Sequence, residues 1–321
     1  MNAKNKMLLC HFVALMVVTI WGSTFVFTKL LLLEGFSAAQ IFTLRFLIAY
    51  VLLLAFQMLT KSFRMLADSW RDELIMLGLG VTGGSVYFLA ENTALNYTTT
   101  TNTSLIVCSC PLVAALMIGL FYKSERMSRT QLVGALMAVM GVAVVVMNGR
   151  FVLHLSPVGD VLALSANFCW AVYSLLMIPV GRRYDSLLIT RKVFFYGLLT
   201  MIPYYLSKPD EAALFFTPHT FAFSFSFSPS IVLNLLYLGC IASMFCFLAW
   251  TWVMKRLGAV VATNYVYINP LTTIVFAWWL LSEPITVWFL LGALLIIAGM
   301  YLADKNERKC KQADGNNWKA I

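Results

Sequence analysis

Charge is scarce in this chain: only 12% of its 321 residues are Asp, Glu, Lys or Arg, against about 25% in soluble domains. A sequence that is 61% hydrophobic, with a mean hydropathy of +0.82, cannot cover a water-facing surface with polar groups. That excludes the soluble globular classes and makes lipid the natural solvent. Catalytic signatures are missing too. There is no P-loop, so no ATP motor of its own, and no GxSxG, HExxH or paired catalytic carboxylates. The seven cysteines show no metal spacing. Cys10, Cys108, Cys110, Cys169, Cys240 and Cys246 lie in apolar runs and Cys310 in the tail, so all read as packing residues. His11, His154 and His219 are far apart in sequence. No metal, no cofactor and no enzymatic activity are expected.

What the chain does have is long apolar runs separated by basic residues. A spanning helix needs roughly 20 apolar residues. Ten such spans are predicted, near 8–33, 38–59, 74–95, 100–122, 130–148, 157–179, 190–207, 231–254, 259–281 and 285–303. The first is too long for a signal-peptide core, so it reads as an uncleaved helix. With the N-terminus inside, nineteen of the 23 basic residues fall in cytoplasmic segments. Arg150 and Lys208 fall outside, and Lys29 and Arg45 within spans. This asymmetry predicts cytoplasmic N- and C-termini. It also accounts for the net charge of +9 without a nucleic-acid partner. The outer segment 208–230, with Pro209, Pro218, Pro229 and a Phe/Ser alternation, is expected to lie partly on the membrane surface.

The two halves repeat. Pro111 is followed by Glu125, Gly134 and Gly141 at +14, +23 and +30; Pro270 is followed by Glu283, Gly292 and Gly299 at +13, +22 and +29. Trp21 of the first span has its counterpart in Trp170 of the sixth. Five spans per half is odd, so the second half enters the membrane upside down, putting Glu125 in the cytoplasm and Glu283 outside. The expected organisation is a first repeat over 1–150, a second over 151–305 and a cytoplasmic basic tail over 306–321. Inverted repeats of this kind underlie many secondary transporters.

These residues resemble the drug/metabolite transporter superfamily, and within it the EamA-type ten-helix permeases. The signs are Trp21-Gly22-Ser23, Arg45-Phe46, and Pro111 with Ser124-Glu125, Gly134 and Gly141. The second copy adds Asn269-Pro270-Leu271, Ser282-Glu283-Pro284, Gly292-Ala293 and Gly299. The resemblance covers about 10–303. It implies an all-α membrane protein of ten helices in two inverted five-helix repeats. It also implies a central cavity lined mainly by the first, third and fourth helices of each half, and export or exchange of small metabolites such as amino acids. The second half lacks counterparts of Lys29, Arg45 and Glu91, so the halves are expected to contribute unequally.

Intramembrane charge is costly and usually faces a cavity or a partner. Lys29 and Glu91, near the outer ends of their spans, either bind the charged ends of a substrate or simply reach the interface. Arg45, deeper and at a position the family shares, reads as a structural tether to backbone carbonyls or to a neighbouring helix. Polar and aromatic residues at helical spacing complete the candidate cavity lining: Trp21, Thr24, Phe88, Glu91, Asn92, Asn102, Asn167, Trp170, Tyr173, Asn264 and Tyr267. Each has an alternative role in packing or interhelical hydrogen bonding. Pro111 and Pro270, in matching places, are either hinges or plain kinks.

The predicted function is therefore a secondary transporter that exports or exchanges a small metabolite, an amino acid or a related compound, by alternating access. Proton coupling through Glu91 would rest on a single intramembrane acid. The competing function is a membrane-embedded enzyme acting on lipid or lipid-linked substrates. The expected location is a cell membrane, the inner membrane of a bacterium, with lipids and the transported solute as partners.

Overall fold

The computed structural model describes residues 3–61, 63–94, 97, 106–122, 127–147, 156–216, 228–281 and 286–313. Asn102, Glu125 and Glu283 lie outside the described residues, as does the side chain of Lys29. Among the described residues the chain is all helical. In chain order the membrane helices are α1 (Ala3–Leu33), α2 (Ala38–Leu59), α3 (Trp70–Ala94), α4 (Cys110–Phe121) and α5 (Arg129–Met147). They continue with α6 (Pro157–Arg183), α7 (Ser186–Ser207), α8 (Pro229–Leu257), α9 (259–281) and α10 (Val287–Ala313). Seven are long and apolar enough to cross a membrane, and α4, α5 and α10 add shorter apolar stretches. Of the expected outer segment, Pro209–Phe216 forms a short helix and 217–227 lie outside the described residues.

Local sequence fixes the helix ends. Ser37 caps α2 in a capping box with Gln40, and Asp185 caps α7 through the Leu188 amide. Ser69 caps α3 through the Asp72 amide, which starts that helix at Trp70, four residues before the apolar run. Ser37 and Asp185 are matching caps in the two halves. Phe46 and Phe194 stand at the same distance beyond them, and these rings meet edge to face with centroids 4.7 Å apart.

The inversion of the repeats is visible in the packing of α5 on α10. A Cβ added to Gly134 would meet the backbone of Gly299 and Ala303, and one on Gly141 the backbone of Gly292 and Ile296. Gly134 corresponds to Gly292 and Gly141 to Gly299. Exchanging the halves therefore turns each contact into the other, with the two helices antiparallel. Only a two-fold axis lying in the membrane plane does this. The same exchange relates the packing of α3 on α6 to that of α8 on α1, and of α2 on α8 to that of α7 on α3. Most contacts therefore run between halves.

Regular helix is interrupted at matching places. The third helix of each half carries a π-helical stretch, Val81–Ser85 in α3 and Tyr237–Phe245 in α8. The fourth helix of each half is broken just before its proline. In α4, a turn at Cys108 and Ser109 precedes Cys110–Phe121, with Pro111 in its first turn. In α9, a 3₁₀ turn over Tyr265–Ile268 separates Ala259–Asn264 from Asn269–Leu281. The prolines thus open the second segment of a discontinuous helix, where a missing N–H costs nothing. They do not bend a continuous one.

Candidate functional site

Between the two halves lies a cavity of about 280 Å³. Its wall comes from α1 (Trp21, Thr24, Thr28), α2 (Phe42, Arg45), the end of α3 (Tyr87, Phe88, Glu91, Asn92), the break in α4 (Cys108, Cys110), Trp170 of α6, Phe247 of α8, and the break in α9 (Val266, Asn269). Both broken helices thus reach the cavity at their breaks. Their interruption releases backbone where it borders the cavity, as irregular backbone in a membrane protein requires.

Six aromatic rings line the wall: Trp21, Phe42, Tyr87, Phe88, Trp170 and Phe247. The repeat-related pair Trp21 and Trp170 meet edge to face, 5.8 Å between centroids at 86°, and Tyr87 lies 5.5 Å from Trp170. Trp21 is fixed from behind, its Nε1 donating to the Ala242 carbonyl in the π-helical stretch of α8 at 3.0 Å. Against these rings stand two buried charges. Arg45 is 4% exposed. Its Nε donates to Ser243 Oγ at 2.8 Å and its Cζ lies 5.0 Å from the Phe88 ring centroid. Glu91 is buried and its Oε1 accepts from the Tyr87 hydroxyl at 3.0 Å. No ion pair joins Arg45 to Glu91 among the described residues.

At the opposite end of α3 a second polar cluster ties the halves together. Asp72, capped onto the first turn, accepts from Arg183 Nη1 at 2.8 and 3.1 Å and from the Tyr184 hydroxyl at 2.8 Å. Glu73 accepts from Lys192, from Tyr196 and from the Ala67 amide. Asp72, Glu73 and Lys192 are all buried. Lys255 closes the ring on the Tyr184 carbonyl at 2.5 Å. Burial raises the Tyr184 phenol above its ordinary value; the Asp68 amide opposes this and Asp72 adds to it, so the hydroxyl stays a donor at neutral pH. From Glu73 to the cavity residues of α3 is roughly 20 Å at 1.5 Å per residue. The cavity therefore sits toward one end of the molecule and the clamp holds the other.

A model of the EamA-like transporter family matches this chain twice, over residues 8–147 and 157–303. The chain belongs to the EamA-like transporter family. An uncharacterized transporter of Archaeoglobus fulgidus is 30% identical over 96% of this chain and 100% of its own length. A probable amino-acid metabolite efflux pump of Salmonella typhimurium is 27% identical over 91% and 93%. A probable terminal-alkyne amino-acid exporter of Streptantibioticus cattleyicolor is 26% identical over 73% and 74%. One solved crystal structure superposes with a TM-score of 0.68 at 21% identity, over 93% of this chain and 98% of that one, which establishes likeness of fold alone.

Within this EamA-like fold the expected site residues separate. Trp21, Thr24, Phe88, Glu91, Asn92 and Trp170 are brought together around the cavity. Four others stand elsewhere, because helical spacing cannot tell a face toward a cavity from a face toward a neighbouring helix. Asn167 is buried in the α4–α6 contact, donating to the Ile106 carbonyl at 2.7 Å and Ser109 Oγ at 2.8 Å. Tyr173 is fully buried in the main core. Tyr267 packs among Cys108, Ala138 and Val142. Asn264 borders a small separate depression with Tyr265 and Tyr301. Arg45 donates to Ser243 of a neighbouring helix and is also part of the cavity lining. Phe42, Tyr87, Phe247 and Asn269 line it without having been singled out for that role. Tyr87 could have been found from Glu91, one helical turn away. Asn269 was visible as part of the Asn-Pro-Leu motif.

Proposed function

We propose that this protein is a secondary transporter that exports or exchanges a small metabolite, an amino acid or a related compound, by alternating access. The observation that carries this is the cavity between inverted halves, with Arg45 and Glu91 inside it and a closed inter-half clamp at the other end. Its 280 Å³ lies at the lower limit of the roughly 300–1,000 Å³ of small-molecule sites, a size for a metabolite and not for a large drug. The names of the Salmonella and Streptantibioticus relatives support amino-acid compounds as the class. Residues 1–150 and 151–305 act as the two exchanging halves. The clamp of Asp72, Glu73, Arg183 and Lys192 is the closed gate; the basic asymmetry of the loops supports a cytoplasmic position for it and for both termini in a cell membrane. No observation favours the lipid-enzyme alternative.

Counterflow in proteoliposomes preloaded with pooled amino acids, nucleosides or sugars tests this. Saturable exchange with the amino-acid pool is expected. Flux that never saturates and shows no counterflow would replace the carrier with a channel. Coupling to protons runs through Glu91 in this reading; a Glu91→Gln variant that kept full proton-gradient-driven uptake would remove that part.

A further inference from the structure

We infer that Arg45 is the carboxylate-binding group of the cavity and Glu91 the ammonium-binding group, so that the site selects small zwitterions with an apolar side chain. The inference rests on the transporter reading above and specifies its substrate by charge geometry.

The argument begins with what Arg45 lacks. A guanidinium at membrane depth requires a partner for its charge. Here its Nε is spent on Ser243 Oγ, and no carboxylate lies within ion-pair distance among the described residues. Its two terminal nitrogens make no hydrogen bond there either. The Ser243 bond and the Phe88 ring beneath Cζ hold the fork in one orientation. A planar fork fixed at Nε on the cavity wall, with no hydrogen bond at either terminal nitrogen among the described residues, is the donor set that a carboxylate takes in bidentate fashion. Lysine or a neutral amide could not replace it.

Glu91 supplies the complementary pole. It is buried, one turn beyond Phe88, and Tyr87 occupies only its Oε1. The two groups share one wall and act on each other electrostatically without a direct ion pair among the described residues. A molecule carrying both charges on one short backbone satisfies both; a monovalent ligand leaves one buried charge uncompensated. Trp170, which is 6% exposed, adds its ring to the same wall. Phe42, Phe247 and the Trp21 ring supply the apolar surface for a side chain.

The test uses purified full-length protein in nanodiscs. Binding is measured calorimetrically for four probes: leucine, leucinamide, which lacks the carboxylate, isoamylamine, which lacks the carboxyl altogether, and isocaproate, which lacks the ammonium. Leucine is expected to bind at least about tenfold more tightly than each of the others, the order of a lost charged hydrogen bond. In Arg45→Gln the preference for leucine over leucinamide should collapse to near unity while isoamylamine binding holds. In Glu91→Gln the preference over isocaproate should collapse instead. Arg45→Lys keeps the charge without the fork and should retain only part of the preference; thermal melting of each variant confirms the fold. An Arg45→Gln protein that is folded and keeps the leucine-to-leucinamide ratio overturns the assignment, since a purely structural role would weaken all four probes alike. So does a wild-type protein that binds none of them. Counterflow with another pool would then leave the transporter reading standing, and absence of counterflow with every pool would remove both.

Discussion

Replacing Glu73 by Gln tests the clamp directly. The side chain keeps its shape, but its one remaining oxygen can accept either from the Ala67 amide or from the Tyr196 hydroxyl, which bond to different carboxylate oxygens of Glu73, and Lys192 is left as a buried cation with its counter-ion gone; it is 4% exposed. Removing one partner of a buried ion pair costs about 3–5 kcal/mol. If the pair is present only when this end is closed, the cost falls on the closed state and not on the folded state as a whole. Three kcal/mol is then more than a hundredfold in the opening equilibrium. Hydrogen exchange in nanodiscs reads this locally. Amides at the start of α3 and the start of α7 should lose protection by about two orders of magnitude, while those near the cavity end of α3 change little. Converting both partners, in Glu73→Gln with Lys192→Met, removes the uncompensated charge and should restore much of the protection. A Glu73→Gln protein whose exchange rises uniformly along the chain, with a lowered melting temperature, would show that the pair is a general structural tie and no gate.

Two further outcomes follow from packing. In Gly141→Ala the new Cβ would stand 2.7 Å from the Ile296 nitrogen and 2.8 Å from the Gly292 carbonyl oxygen. Both are backbone atoms that cannot rotate away, so the α5–α10 seam must part, at about 1–3 kcal/mol; an unchanged melting temperature would contradict so close a seam. Asn167→Ala removes two donated hydrogen bonds at the α4 break and should cost about 1–2 kcal/mol of stability. It should leave the ratio of leucine to leucinamide binding unchanged; a changed ratio would put Asn167 in contact with the ligand after all.

The number of helices, their approximate limits and the inverted duplication are legible in the sequence because each rests on a property of the chain by itself. Apolar length sets a span, and Pro111, Gly134 and Gly141 recur as Pro270, Gly292 and Gly299 with nearly constant spacing. The clamp was not legible as a cluster. No motif or spacing singles out Asp72 and Glu73, and Arg183 and Lys192 count only among the basic residues that set topology. Only the packing of α3 on α6 and α7 brings them together across more than a hundred residues of chain. The cavity falls between. Trp21, Glu91 and Trp170 stand out by charge or by repetition, whereas Tyr173 and Tyr267 share the same chemistry and spacing but face neighbouring helices. Rotation of a helix about its axis is set by its partners, and the partners of these helices belong to the other half.

The glycine seam has a consequence for how such a chain can be assembled. Gly134 needs Gly299, and Gly141 needs Gly292, so neither five-helix half carries a complete contact of its own. One half expressed alone could rebuild the seam only by meeting a second copy inserted in the opposite direction. A gene for a single half would have to give a product of mixed topology, whereas joining the halves in one chain turns that accident of insertion into a fixed property.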